Sequence, residues 1–340
     1  MSDITLLIPP FTQLNTPYPS ILYLNRYLTE QGFSCTVRDI SIELVDILFS
    51  SEVLAEIFAE IEEDIEDSEY PDEVWSILSQ KQRILSVMDD VRFFLQGKRP
   101  SLQYRIFSGG FLPKTPRLTG IDLSYFGTMG VFDGAKYMCT LFVEDLVDLI
   151  KCCIDIGFDF GKYQAYLATG TVHFDPIIER IEATTIIDEY IDALTDSIEA
   201  SCVALSLPFA GTVYAGLRMA KRLKKRGTTV WLGGGYVNTE LRNIKDPRIW
   251  EYCDAICFDD GEEPLLNLLL RQQGKEHNLI RTLTAEAWFG NEEKARNPFT
   301  ASADYTGLDL SPYLNLLDSL NPALIPETVR KVQEFIEIAD

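Results

Sequence analysis

The sequence predicts an α/β protein: a Rossmann-like (flavodoxin-like) doubly wound parallel sheet carrying a long, mainly helical insertion. Three observations point there. Short apolar runs, each stopped by proline, glycine or aspartate, read as buried parallel strands. Segments of helical periodicity separate them, as right-handed β-α-β crossovers require. Between about Ser41 and Ile198 the alternation gives way to helical periodicity alone.

The elements follow in order. Ile4-Thr5-Leu6-Leu7-Ile8 is an apolar run ended by Pro9-Pro10. Ile21, Leu22, Leu24, Tyr27 and Leu28 then recur at helical spacing, and Gly32 stands where a C-cap glycine belongs. Phe33 to Val37 is a second strand, closing at Arg38-Asp39. Helical patterns run through Val53 to Ile65, Val74 to Phe94, Val143 to Ile156 and Ile177 to Ala200, and Gly97 to Tyr137 reads as loop. Val203 to Leu207 resumes the strands and stops at Pro208. Gly211 to Lys225 is an amphipathic helix whose basic end complements the helix dipole. Thr228 to Leu232 is a strand before Gly233-Gly234-Gly235, and a helical piece spans Pro247 to Tyr252. Ala255 to Phe258 is a strand, Glu263 to Arg271 a helix and Arg281 to Glu286 an edge strand. Asn297 to Pro322 reads as an extended arm and Ile325 to Ile338 as a final helix. The predicted organisation is a discontinuous Rossmann-like domain at 1–40 and 200–290, a helical insertion at 41–199, and a C-terminal arm and helix at 291–340.

Composition narrows the function classes. The 340 residues can bury a sizeable core without a metal or disulfide staple. The formal net charge of -22 provides no basic footprint for nucleic acid and disfavours an anionic membrane surface. Much of the acidity lies between Glu52 and Glu73, a pattern that fits a solvated helix face. Seven scattered cysteines, several in apolar runs, suit buried thiols in a reducing compartment, and no signal peptide or membrane-length apolar run is seen. These features predict a cytoplasmic protein.

In an open α/β sheet the ligand sits beyond the carboxyl ends of the strands. Four loops are predicted to meet there. They contain Pro10, Phe11, Thr12 and Gln13; Ser206, Pro208, Phe209, Gly211 and Thr212; Gly233, Gly234, Gly235 and Tyr236; and Asp260, Gly261 and Glu262, preceded by Asp259. Ser206 and Thr212 offer hydroxyls near a helix start, and the glycines let a flat or bulky ligand approach the backbone. Serine, threonine and acids at such places also simply cap helices, and glycines simply permit turns. No G-x-G-x-x-G follows the first strand and no P-loop motif occurs, which argues against ordinary dinucleotide and nucleoside-triphosphate sites. His173 and His277 lack ligand-spaced partners. Cys253 and Cys257 are not followed by a third cysteine, because residue 260 is Asp260. No catalytic residue and no metal ligand is assigned.

Three stretches carry a resemblance: VALSLPFAGTVYAGLRMAKRLKK; VWLGGGYVNTELRNIKDPRIWEYCDAICFDDGEEPLLNLL; and ADYTGLDLSPYLNLL. With the helical DLIKCCIDIGFDFGKYQAYLATG, they resemble the amino-terminal cobalamin (B12)-binding region of B12-binding-domain-containing radical SAM proteins, over roughly residues 3 to 320. The resemblance implies that Ser206 and Gly233 to Gly235 line the cofactor's nucleotide tail, with Phe11, Thr12, Phe209 and Thr212 on the corrin side. The D-x-H-x-x-G motif of His-ligating cobalamin domains is absent, which implies base-off cobalamin without a protein histidine ligand. The C-x-x-x-C-x-x-C triad of the radical SAM barrel is absent too, so no [4Fe–4S] cluster or S-adenosylmethionine site is expected in this chain.

The implied function is therefore a cobalamin-binding module whose partner is the cofactor and, beyond it, a separate radical SAM chain or another protein. One alternative is a regulatory interaction domain that keeps the fold and binds no cofactor. A third reading, an enzyme using Asp259, Asp260 or Glu262 as acid or base, lacks a convincing pair for those carboxylates.

Overall fold

The computed structural model describes residues 3–64, 70–121, 130–159, 174–290 and 302–317. Five parallel strands appear where the apolar runs predict them: β1 (Ile4–Ile8), β2 (Cys35–Asp39), β3 (Cys202–Ser206), β4 (Thr229–Gly233) and β5 (Ala255–Cys257). Two short antiparallel strands, β6 (Thr282–Leu283) and β7 (Trp288–Phe289), extend the sheet. The order is β2-β1-β3-β4-β5-β6-β7. Its first five strands follow the flavodoxin-like order, as the sequence predicts.

Chain direction and handedness decide which helix covers which face. The chain steps one way from β1 to β2 and the other way from β3 through β4 to β5. Right-handed crossovers therefore put α1 (Ser20–Glu30) on one face and α10 (Val213–Lys225) on the opposite one. A short α11 (Gly235–Thr239) follows β4, and the helix after β5, α12 (Glu262–Gln272), packs beside α1. Under this pair lies a core of Leu6, Ile8, Ala204, Trp231, Ala255 and Cys257, capped by Ile21, Leu22, Leu28, Leu265 and Leu269. Each fully buried aliphatic side chain of this set contributes about 1.5–3 kcal/mol of transfer free energy. The α1 helix stops as its sequence predicts: Gly32 takes φ +87°, and the Phe33 amide reaches back to the Leu28 carbonyl at 3.0 Å.

The long middle segment is helical in α2 (Ile40–Leu48), α3 (Ser51–Asp64), α4 (Asp72–Leu78), α5 (Lys81–Leu95), α6 (Gln103–Phe107), α7 (Val131–Cys153), α8 (Asp175–Glu182) and α9 (Ile186–Asp196). Three details differ from the sequence expectation. The pattern from Val74 to Phe94 is broken at Ser79-Gln80, where Ser79 Oγ turns to donate to the Ser76 carbonyl at 2.7 Å. Gly97 to Tyr137 contains α6 and the start of α7 rather than loop alone. Gly134 disguised that start, and its place is set by packing: a Cβ there would lie 2.3 Å from the Phe107 ring.

The third difference concerns boundaries. The chain divides into two compact units, 1–45 with 157–310 and 46–156 with 311–340. Helices α8 and α9, read from sequence as insertion, belong to the sheet unit. Arg218 of α10 explains why. It makes a two-pronged pair with Asp192 of α9, both contacts at 2.9 Å, and donates to the Ile181 and Ala183 carbonyls at the end of α8. The expected final helix at Ile325 to Ile338 lies outside the described residues, as does part of the expected arm. Among the described residues no helix is long and apolar enough to cross a membrane.

Candidate functional site

The parallel register places Ala204 beside Trp231 and Ser206 beside Gly233 at the carboxyl ends of β3 and β4. Alternation along a strand sends the even-numbered β3 residues and the odd-numbered β4 residues to the face covered by α1 and α12. Ala204, Ser206 and Gly233 are too small to fill the space beneath those helices, and a cleft of about 410 Å³ opens there. Its floor and walls are Ala204, Trp231, Cys257, Ile21, Leu24 and Leu265. Trp231 and Cys257 are each 3% exposed. Tyr23 stands at the same cleft and is exposed.

Polar groups enter at two places. Ser20, at the first turn of α1, and Ser206, at the end of β3, hold their hydroxyl oxygens 2.8 Å apart. One of these hydroxyls donates to the other, which leaves the second proton for a ligand acceptor. The second polar wall is Asp259, Asp260 and Glu262. Asp259 adopts a left-handed backbone, φ +59°, and two contacts hold it: its amide donates to Asn238 Oδ1 at 2.6 Å, and its carboxylate pairs with Arg242. Arg281 faces the same wall, 3.2 Å from Glu263 and 4.0 Å from Asp260. Glu262 is different. Its Oε2 is shielded from solvent with no hydrogen-bond partner, and burial pushes its carboxyl above the usual range. Burial likewise pushes the Cys257 thiol up to about 12, so at neutral pH it is an apolar thiol and not a thiolate.

Of the sequence-predicted residues, Ser206, Gly233, Gly234, Asp260, Gly261 and Glu262 come together around this cleft. The first loop does not join them. Phe11 is buried at φ +74° with its ring edge-on to Phe158, 6.0 Å between centroids. The Thr12 amide donates to Ser41 Oγ at 3.0 Å, Pro10 is buried, and Gln13 is exposed with its amide turned to Thr16. Pro208, Gly211 and Thr212 are buried in the β3–α10 connection, where Thr212 Oγ1 donates to the Phe209 carbonyl at 2.8 Å. Phe209 is 47% exposed and packs edge-on against Tyr18. Tyr236 is buried, and its hydroxyl is pushed up to about 12 by that burial. His277 is exposed, and His173 lies outside the described residues.

The glycine run has a different reason from the one expected. The backbones of the β3 and β4 loops bond directly: the Leu207 amide donates to the Gly233 carbonyl at 2.7 Å and the Tyr236 amide to the Leu207 carbonyl at 3.0 Å. A Cβ on Gly234 would lie 2.6 Å from the Leu207 oxygen, and one on Gly235 would lie 2.8 Å from the Pro208 oxygen. These two glycines serve the close approach of one loop to the other. Only Gly233 has ordinary room, 3.6 Å from the Cys257 carbonyl.

Sequence reasoning missed Ser20, Tyr23, Trp231 and Cys257 as cleft residues. The available signal was the strand alternation 204/206 and 231/233, which sets Trp231 on the face of Ser206. Comparison with family models, curated proteins and solved structures finds no match to this chain.

Proposed function

We propose that the chain is a cobalamin-binding module that takes the nucleotide tail of the cofactor into the cleft between α1 and α12. The observation that supports this best is the slot itself. Its volume lies within the range of small-molecule sites, and it has an apolar floor for a flat heterocycle with a hydroxyl pair at one end. A corrin macrocycle with its side chains is far larger than about 410 Å³ and would stay outside the cleft. Tyr23, exposed at the cleft, is an aromatic side chain it would meet there. Phe11, Thr12 and Thr212, which the resemblance places against the corrin, are buried and would not touch it through their side chains.

On this reading Ser206 and Ser20 orient the tail's ring nitrogen, and Ile21, Leu24 and Leu265 exclude water from its faces. With its tail so held the cofactor is base-off, and no D-x-H-x-x-G histidine is present to replace the base. The bound group would supply cobalt-centred alkyl-transfer chemistry, and this chain's own residues hold and present it.

The test is direct. Purified protein is mixed with hydroxocobalamin and desalted, and the visible spectrum is recorded. Corrin absorbance should stay with the protein. Complete loss of colour on desalting would overturn the reading and favour an interaction domain without cofactor. Gly233→Ala should fold normally, because a Cβ there meets only an ordinary contact, yet it should narrow the slot and weaken retention several-fold. Undiminished retention in that variant would move the ligand out of this cleft.

A further inference from the structure

Fifty-two acidic residues face 30 lysines and arginines in this chain, so an arginine without a carboxylate partner is unexpected. Among the described residues most arginines are ion-paired. Arg83 of α5, Arg105 of α6 and the exposed Arg271 of α12 have no ion pair among them, and the first two line the same groove, a space of about 410 Å³ in the helical unit. Both guanidinium groups are nevertheless held. Arg83 Nη2 donates to the Gly110 carbonyl at 2.7 Å, and Arg105 lies over the Phe111 ring, 4.9 Å from its centroid. These contacts are not ionic. They fix the side chains while their charge and most of their N–H donors stay unused.

The other groove residues say what would use them. Asp90 is neutralised by Arg99, so it does not cancel the two arginines. Ser86 and Ser108 donate their hydroxyls to carbonyls three residues back, at 2.7 and 2.9 Å, and so contribute no free donor. Val87 and Phe111, each 8% exposed, give the groove a small apolar edge. Two guanidinium groups beside an apolar edge fit a planar anion attached to an apolar body, because guanidinium edges match a carboxylate bidentately.

We propose that the groove between α5 and α6 is a second ligand site, for a small organic carboxylate bound by Arg83 and Arg105 with its apolar part on Val87 and Phe111. It is independent of the cleft over the sheet.

Isothermal titration at low ionic strength tests it, using the full chain with sodium phenylacetate, phenylacetamide as the uncharged analogue, and sodium phosphate. Phenylacetate should bind saturably and phenylacetamide should not. Arg83→Gln and Arg105→Gln should each weaken phenylacetate binding by about tenfold or more, the usual loss of a charge-assisted bond. Both side chains are exposed, so the unfolding temperature without ligand should stay within about a degree of wild type. Absence of saturable phenylacetate binding, or unchanged affinity in the double variant, would overturn the site. Phosphate binding as tightly as phenylacetate would overturn its assignment to organic carboxylates.

Discussion

Gly234 shows how one residue can be misread from sequence and corrected by geometry. Its backbone sits at φ +110° and ψ 178°, a region that belongs almost entirely to glycine, and its α-carbon faces the Leu207 backbone. Gly234→Ala should therefore cost about 1–3 kcal/mol from backbone strain alone, with the steric overlap added, and the loss should appear in urea unfolding without any ligand. Gly233→Ala, one residue earlier, should leave stability nearly unchanged, so the pair separates a folding glycine from a cleft glycine. Glu262 offers a pH-dependent test. Its folded-state carboxyl titrates above the unfolded one, so the native state binds the proton more tightly. The charged form is thus penalised by folding, and this cost grows as pH rises through and above the ordinary carboxylate range. Glu262→Gln removes it. The stability of the variant relative to wild type should increase from pH 4 toward neutrality, and a flat difference would show that Glu262 is not shielded as described.

At the scale of elements, the α8–α9–α10 assembly decides where the sheet unit ends. Asp188 is fully buried at the first turn of α9. It closes a capping box with Thr185 and pairs with Arg180 at 2.9 Å. Asp188→Ala would remove the cap and leave Arg180 without this carboxylate partner. We expect a loss of about 3–5 kcal/mol, the usual result of halving a buried ion pair, measured as a shift in the urea midpoint. Helical periodicity was legible as one stretch from Ile177 to Ala200, with Ile177, Ile181, Ile187 and Ile191 buried, but the chain breaks it in two where Ala183 and Thr185 turn extended. The allegiance of the two helices was not legible, because periodicity shows that a helix has an apolar face and not which surface covers it. The same limit explains α7, whose early turns contain Gly134, a poor helix former retained because the Phe107 ring lies against it.

At the scale of the whole molecule, the sheet unit and the helical unit each carry a candidate site, and each site owes its character to what is left over. Small side chains at the ends of β3 and β4 leave unfilled space beneath α1 and α12. Among the described residues of the helical unit, Arg83 and Arg105 are left without an ion pair while the other arginines have one. Surface ion pairs stabilise a fold by at most about 1 kcal/mol each, so the -22 charge says little about the fold.

The five parallel strands, their alternation with helices and the flavodoxin-like order were determined by the sequence alone, whereas the expected edge strand at Arg281 to Glu286 is a pair of two-residue strands, Thr282–Leu283 and Trp288–Phe289. Apolar runs of strand length, closed by Pro9 and Pro208 and separated by helical periods that stop at Gly32 and Gly227, allow few other topologies under right-handed crossovers. The loops at the strand ends could also be named as the place to look. Which of them share a cleft was a tertiary decision. It depends on the inter-strand register that sets Ser206 beside Gly233, on Ser20 reaching Ser206 across 186 positions of chain, and on the Leu207 backbone pressing against Gly234. Local pattern carries hydrophobic periodicity and turn chemistry, whereas contacts between residues distant in sequence exist only once the elements have packed.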